Sequence, residues 1–233
     1  MLSKNTIDIV KSTSNLLKQN AEVLTKHFYK RMFINNPEIL PLFNHSNQES
    51  GIQQKALAAA IVGYAANIDN LGALTNIITL IANKHVALQI KPEHYPIVGE
   101  HLLASIKEVL REKANKDVIK AWEEAYWFLA NILIEQEKQI YKENKQKHGG
   151  WEGFRNFKVD CKKKESSNIT SFYLKPEDGK ALPTYFAGQY ITVKFPTLDN
   201  STTMRNYSLS DKSGQDYFRI SVKREDKGYV SNK

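Results

Sequence analysis

Residues 84–103 read KHVALQIKPEHYPIVGEHLL. Helical spacing runs up to the Ile90-Lys91-Pro92 break and resumes after it, and His85, His94 and His101 all fall within this stretch. Upstream, Leu74, Ile77, Ile78, Ile81, His85 and Leu88 recur at i, i+3, i+4, i+7, i+11 and i+14, which is one face of a helix. His85 stands in the middle of that stripe. His94 lies beside Pro92 in a first turn, and His101 lies next to the Val98–Leu102 line rather than on it. An imidazole turned inward needs its ring nitrogens satisfied. His85 is therefore expected to be the inward histidine, either as a core residue bonded to a backbone carbonyl or as an axial ligand to haem iron.

The same period continues on both sides. Leu57, Ala60, Ile61, Tyr64 and Ile68 form one stripe; Tyr95, Val98, Leu102, Ile106 and Val109 another; Tyr126, Ala130, Leu133, Glu137 and Ile140 a third. Asn36 before Pro37 reads as a helix cap, and Pro92 as a helix start. Residues 1–147 are thus expected to be all-α. Two further polar residues fall on apolar faces: Gln53, four before Leu57, and Glu137, between Leu133 and Ile140. An acid on an apolar stripe calls for a specific partner. Three such residues in one helical domain point to a polar site inside a hydrophobic pocket.

After residue 148 the period changes. HGGWEGFRNF is a glycine-rich joint. Beyond it Phe157, Val159 and Cys161, then Ile191, Val193 and Phe195, then Phe218, Ile220 and Val222 alternate with polar residues. With the turns PEDG and DKSG between them, these are short antiparallel strands of a small barrel. The chain has 233 residues, 41% of them apolar, which is enough for packed cores. Its single cysteine, Cys161, cannot form an intrachain disulfide and points to a reducing, cytoplasmic setting. No run approaches roughly 18 apolar residues, so no membrane span is expected. The net charge is +8, but lysine is scattered and its one dense block, residues 162–164, reads as a solvated strand end. No nucleic-acid motif accompanies it.

The stretches HFYKRMFINNPEILPLFNH, QKALAAAIVGYAANIDNL and KHVALQIKPEHYPIVGEHLLASIKEVL resemble the haem domain of bacterial and yeast flavohaemoglobins. GGWEGFRNF, YFAGQYITVKF, RNYSLS and VKREDKGYVSN resemble the start of their flavin domain. The resemblance implies an all-α globin domain over 1–147, then an incomplete antiparallel β-barrel of the ferredoxin-reductase FAD-binding type over 148–233. It implies haem b with His85 as proximal ligand and Tyr95 and Glu137 holding that histidine from behind. Tyr29 corresponds to the distal tyrosine that bonds the oxygen ligand, Gln53 to the glutamine beside it, Leu57 to the apolar residue over the iron and Phe43 to the aromatic at the haem edge. For FAD it implies Arg205 on the pyrophosphate, Tyr207 on the isoalloxazine ring, Ser208 at the ring edge, and Asn206 and Tyr190 beside them. The chemistry agrees: a guanidinium suits phosphate, an aromatic face a flat ring, and a hydroxyl a ring nitrogen.

The implied activity is nitric oxide dioxygenation: O2 and nitric oxide give nitrate, with electrons from NAD(P)H through FAD. The sequence runs out at GYVSNK with no GxGxxG-type turn or parallel α/β segment. The expectation is therefore a chain that keeps the oxygen and nitric oxide chemistry, holds FAD incompletely, and takes electrons from an external reductase or from a C-terminal NAD(P) domain beyond these residues. A haem globin that binds oxygen or nitric oxide without self-sufficient turnover is the alternative.

Overall fold

Ser3 starts the first helix. Its hydroxyl accepts the Thr6 N–H at 3.0 Å, satisfying a donor that every helix start leaves open. Helix α1 (Lys4–Asn35) then runs with Val10, Leu17, Leu24, Phe28 and Met32 on its buried face. The computed structural model describes residues 1–43, 48, 50–196, 202–226, 228 and 230–232. They divide into two compact units, Met1–Lys138 and Gln139–Lys233.

Every regular element among the described residues of the first unit is helical. After α1 come a 3₁₀ segment (Pro37–Leu42), α2 (Ile52–Ala66), a second 3₁₀ turn (Leu71–Leu74), α3 (Thr75–Ala87), α4 (His94–Leu110), a third turn (Arg111–Lys113) and α5 (Lys116–Gln146), whose end enters the second unit. Two buried polar contacts clamp α5 to its neighbours. Trp122 donates its indole N–H to Thr13 Oγ1 on α1 at 3.0 Å, and Tyr64 on α2 donates to the Ala125 carbonyl at 2.8 Å. Both satisfy donors that would be costly to leave unpaired in an apolar core.

Several expectations need correction. On α3 the deep line is Leu74, Ile78, Ala82 and Val86. Ile77 is 51% exposed, and His85 lies on the partly buried edge of that face. The deeply buried histidine is His101, 1% exposed. The inner face of α4 is wide enough to take in Gly99, His101 and Ser105 beside the Tyr95–Leu102–Ile106 line. His101 is tolerated there because both ring nitrogens are engaged by α1 and its end. The Arg31 guanidinium donates to Nδ1 at 3.1 Å, and Nε2 donates to Asn36 Oδ1 at 2.7 Å. Asn36 is thereby drawn away from capping: its amide nitrogen donates to Glu38 Oε1, and no side-chain cap bond starts the 3₁₀ segment. Pro92 lies in the turn ahead of α4, which begins at His94.

The second unit is antiparallel. Strands β1 (Phe157–Lys164), β2 (Ile169–Pro176) and β5 (Phe218–Lys223) form one sheet in the order β1-β2-β5, and β3 (Tyr190–Pro196) pairs with β4 (Thr202–Ser208) in a second. Among the described residues one isolated bridge, Leu209 to Ile220, links the chain just after β4 to β5, and the two sheets are not closed into a barrel. Leu174, Phe218 and Ile220 form the buried centre, with Trp151, Phe157, Ile191, Val193 and Tyr207 packed against them. The joint is anchored by Arg155, which donates to Asp178, to the Ala181 carbonyl and to the Lys180 carbonyl and lies over the Trp151 ring.

β1 does not keep its expected alternation. A register shift between Val159 and Cys161 moves Cys161 opposite Tyr173 and leaves it exposed. The shift brings Lys162 opposite Phe172 and Lys164 opposite Thr170, on the face that Val159 shares with Leu174. The Lys162 ammonium sits 5.5 Å from the Phe172 ring centre.

Burial holds the His101 imidazole below its ordinary value of 6.5; neighbouring Glu100 opposes the shift and Arg31 reinforces it. The folded state therefore keeps His101 neutral, while the unfolded chain takes up the proton near pH 6.5. Stability must fall as the pH drops through that value. In urea denaturation between pH 8 and 5, His101→Gln, which can still accept from Arg31 and donate to Asn36, is expected to show a shallower loss of midpoint below pH 6.5 than the unsubstituted chain. Equal slopes would remove His101 as the source.

Candidate functional site

The placement of His85 begins with how α3 ends. Ile90 N donates to the His85 carbonyl at 2.9 Å and Gln89 N to the Val86 carbonyl at 3.0 Å, while Gln89 takes φ +60°. This is the paired closure that ends many helices, with a left-handed residue just past the cap. Glycine is usual there, and the use of glutamine carries a steric cost. The closure ties down the backbone of His85 and turns the chain towards Pro92. α4 then starts and brings Tyr95 back against the imidazole, ring centres 6.2 Å apart.

Behind His85 lies Glu137, 2% exposed on α5. Its Oε1 is 2.7 Å from His85 Nδ1 and accepts the Tyr95 hydroxyl at 2.6 Å. Tyr95 Oη is also 3.2 Å from Nδ1. A carboxylate oxygen only accepts, so Nδ1 carries a proton, and in the neutral ring the lone pair is on Nε2. Nε2 makes no hydrogen bond among the described residues, on a side chain that remains 31% exposed. Tyr95 is itself held, since Tyr126 donates to its carbonyl at 2.5 Å. Gly99 leaves room for that ring: a Cβ there would meet Tyr126 Cε1 at 2.6 Å.

A second group gathers on α1 and α2. Tyr29 is 6% exposed; burial pushes its phenol well above the usual range, and a hydrogen bond with the Gln53 side chain offsets part of that. Tyr29 therefore stays a protonated donor across physiological pH. Phe43 meets the Tyr29 ring edge-on at 5.8 Å and Phe33 at 5.1 Å. Leu57 follows Gln53 by one turn of α2 and is partly buried.

The β residues fall on one ribbon but on both of its faces. Arg205 pairs with Val193 and Tyr207 with Ile191, so these share the inner face. Asn206 pairs with Thr192, its Oδ1 accepting the Thr192 hydroxyl at 2.8 Å, and Ser208 pairs with Tyr190 on the other face. Arg205 donates to Thr203 Oγ1 and the Met204 carbonyl, both at 2.8 Å. Burial raises the phenols of Tyr207 and Tyr190. Of the segment around GYVSN, Tyr229 lies outside the described residues.

Comparison with known proteins supports the two-part reading. The globin family model matches residues 26–133, and the oxidoreductase FAD-binding domain model matches residues 156–233. The flavohemoprotein of Halalkalibacterium halodurans is 52% identical over 238 residues, spanning 99% of this chain. The chain belongs to the flavohaemoglobin family. The flavohemoprotein of Bacillus subtilis is 48% identical over 233 residues. The chain spans 58% of the length of each of these two flavohaemoglobin relatives. Among solved structures, the flavohemoglobin from Malassezia yamatoensis with bound FAD and heme superposes with a TM-score of 0.89 at 27% identity, over 99% of this chain and 60% of that one. A bacterial globin from Campylobacter jejuni is 44% identical over 60% of this chain and 99% of its own, with a TM-score of 0.57.

The left-handed residue at the end of α3 yields a direct test. Gln89→Gly should relieve the steric cost and raise stability by about 0.5–1 kcal/mol, read as a higher thermal midpoint. A lower midpoint would show that the glutamine side chain, which donates to the Val86 carbonyl, contributes more than the strain removes.

Proposed function

We propose that this chain is the haem-carrying globin domain (1–147) and the first part of the FAD barrel (148–233) of a nitric oxide dioxygenase. The observation that carries the reading is the orientation of His85. Glu137 and Tyr95 occupy one ring nitrogen from the buried side, and the other presents its lone pair from a partly exposed edge. A core histidine satisfied by a backbone carbonyl has no need of a buried carboxylate. A metal-binding histidine does, because the carboxylate fixes the tautomer and raises ligand basicity.

The residues fit haem b: an imidazole with one ring nitrogen left to hold the iron, a buried phenol with an amide beside it, and the apolar Phe43 and Leu57. Haem, when bound, supplies the iron centre at which O2 oxidises nitric oxide to nitrate. His85 would hold it, with Glu137 keeping the proton on Nδ1 and making the imidazole a stronger electron donor, which would favour oxygen activation over storage. Tyr29 would offer a hydrogen bond to partial negative charge on the bound substrate, with the apolar side chains of Phe43 and Leu57 as its surroundings. FAD, when bound by Tyr190, Arg205, Asn206, Tyr207 and Ser208, supplies electrons drawn from NAD(P)H by the remaining NAD(P) domain or an external reductase.

An absorption spectrum of the purified chain after addition of haemin and FAD reads both cofactors at once. His85→Ala is expected to abolish haem uptake. Tyr29→Phe should keep haem but release oxygen about tenfold faster, the equivalent of one hydrogen bond of about 1.4 kcal/mol. Rapid mixing of the oxygenated chain with nitric oxide should give one nitrate per haem. A slow reaction without nitrate would reassign the chain as a binding globin, and a colourless protein that takes up no haemin would end the reading.

A further inference from the structure

Among the described residues, no large apolar side chain of the β unit is as exposed as Phe186, at 83%. It stands on a turn that is braced from both sides. Gln189 N donates to the Phe186 carbonyl at 3.1 Å, and Phe186 N donates to the Gln189 side-chain oxygen at 2.7 Å. Gly188 takes φ +87°, the left-handed conformation that a type II turn needs at its third residue. The Gln189 carbonyl then accepts Leu209 N at 2.9 Å, one rung beyond the Tyr190–Ser208 pair of the β3–β4 ribbon. On the other flank Tyr185 is drawn inward. Its ring meets Phe218 edge-on with centres 5.7 Å apart, its hydroxyl donates to the Asp211 carbonyl at 2.9 Å, and its N–H donates to Ser213 Oγ at 2.8 Å. With both neighbours held in this way, the backbone itself turns Phe186 outward.

A single exposed ring needs no explanation by itself; its place does. In the flavin site described above, Arg205 takes the pyrophosphate, Tyr207 the isoalloxazine, and Ser208 with Tyr190 the ring edge. The order along β4 then runs from phosphate to ring, and the far end of the ring comes towards the turn. The faces of the ribbon agree. Tyr207 pairs with Ile191 on one face, and Ser208 with Tyr190 on the other. A ligand touching all three has to pass over the end of the ribbon, where β4 finishes and β3 begins. An isoalloxazine has a polar pyrimidine end, with two carbonyls and an N–H, and a benzenoid end with two methyl groups. A phenyl ring has no hydrogen bond to give. It would leave the first end unsatisfied and suits the second.

We propose that Phe186 is a flavin-contacting residue whose ring covers the methyl-bearing benzenoid end of FAD. The inference rests on the FAD reading of the β3–β4 ribbon above.

The test is a cycle of two proteins and two flavins. The unsubstituted chain and Phe186→Ala are each titrated with FAD and with 7,8-didemethyl-FAD, which lacks only the two methyl groups. Because Phe186 is exposed, the flavin-free variant should keep the thermal midpoint of its parent. The parent should bind FAD about tenfold more tightly than the demethylated flavin. Phe186→Ala should lose about tenfold for FAD and little for the demethylated flavin, so that the two become nearly equal. Phe186→Leu, which keeps an apolar cover, should recover most of the loss. Unchanged FAD affinity in Phe186→Ala, or the same loss for both flavins, would overturn the contact and leave the FAD site standing. A concentration-dependent dimer that disappears in Phe186→Ala, with flavin affinity unchanged, would give the ring to a second copy instead. A parent chain that binds neither flavin would overturn the FAD site and the contact together.

Discussion

The bond between Glu137 and His85 is the constraint around which the helical unit is arranged. A carboxylate at 2% exposure is costly unless its oxygens are engaged, and here one oxygen takes both the imidazole and the Tyr95 hydroxyl. Three helices must meet to make that contact: α3 brings the ring, α4 the phenol and α5 the acid. The closure at Gln89, the turn through Pro92 and the space left at Gly99 are each parts of delivering those side chains to one point. The same bond fixes which imidazole nitrogen can coordinate, so packing and chemistry share a single interaction.

The opposite group works by the same logic with neutral donors. Tyr29 is buried far enough to remain protonated, with the Gln53 side chain as its hydrogen-bonding neighbour. The two groups thus hold a proton by different means: a buried charge beside His85, and burial itself at Tyr29.

Much of this was legible in the sequence, and the exceptions have physical causes. The 3.6-residue stripes identified the helices, and the inward positions of Glu137 and Gln53 could be read from them. Burial depth could not. Periodicity placed His85 at the centre of its face, but the packed line of α3 is shifted by one residue, which leaves His85 at an edge. It placed His101 off the face, because a helix packed on both flanks buries more than one stripe. The polar pair His101 and Ser105, one turn apart on an apolar helix, was the available signal. β2, the central strand of its sheet, shows no clean alternation in the sequence because ITSFYLKP mixes hydroxyls on both parities.

The register shift in β1 has a consequence for how copies of this protein meet one another. An edge strand with apolar alternation along its full length would offer a flat template to a second chain. Here the phase change at Asp160 puts Lys162 and Lys164, in place of Cys161 and Lys163, on the face that Val159 shares with Leu174. A strand arriving from another molecule would have to sequester two ammonium groups to complete the pairing. Among the described residues β1 is an edge of its three-stranded sheet, and its own lysines guard that edge against forming intermolecular sheets.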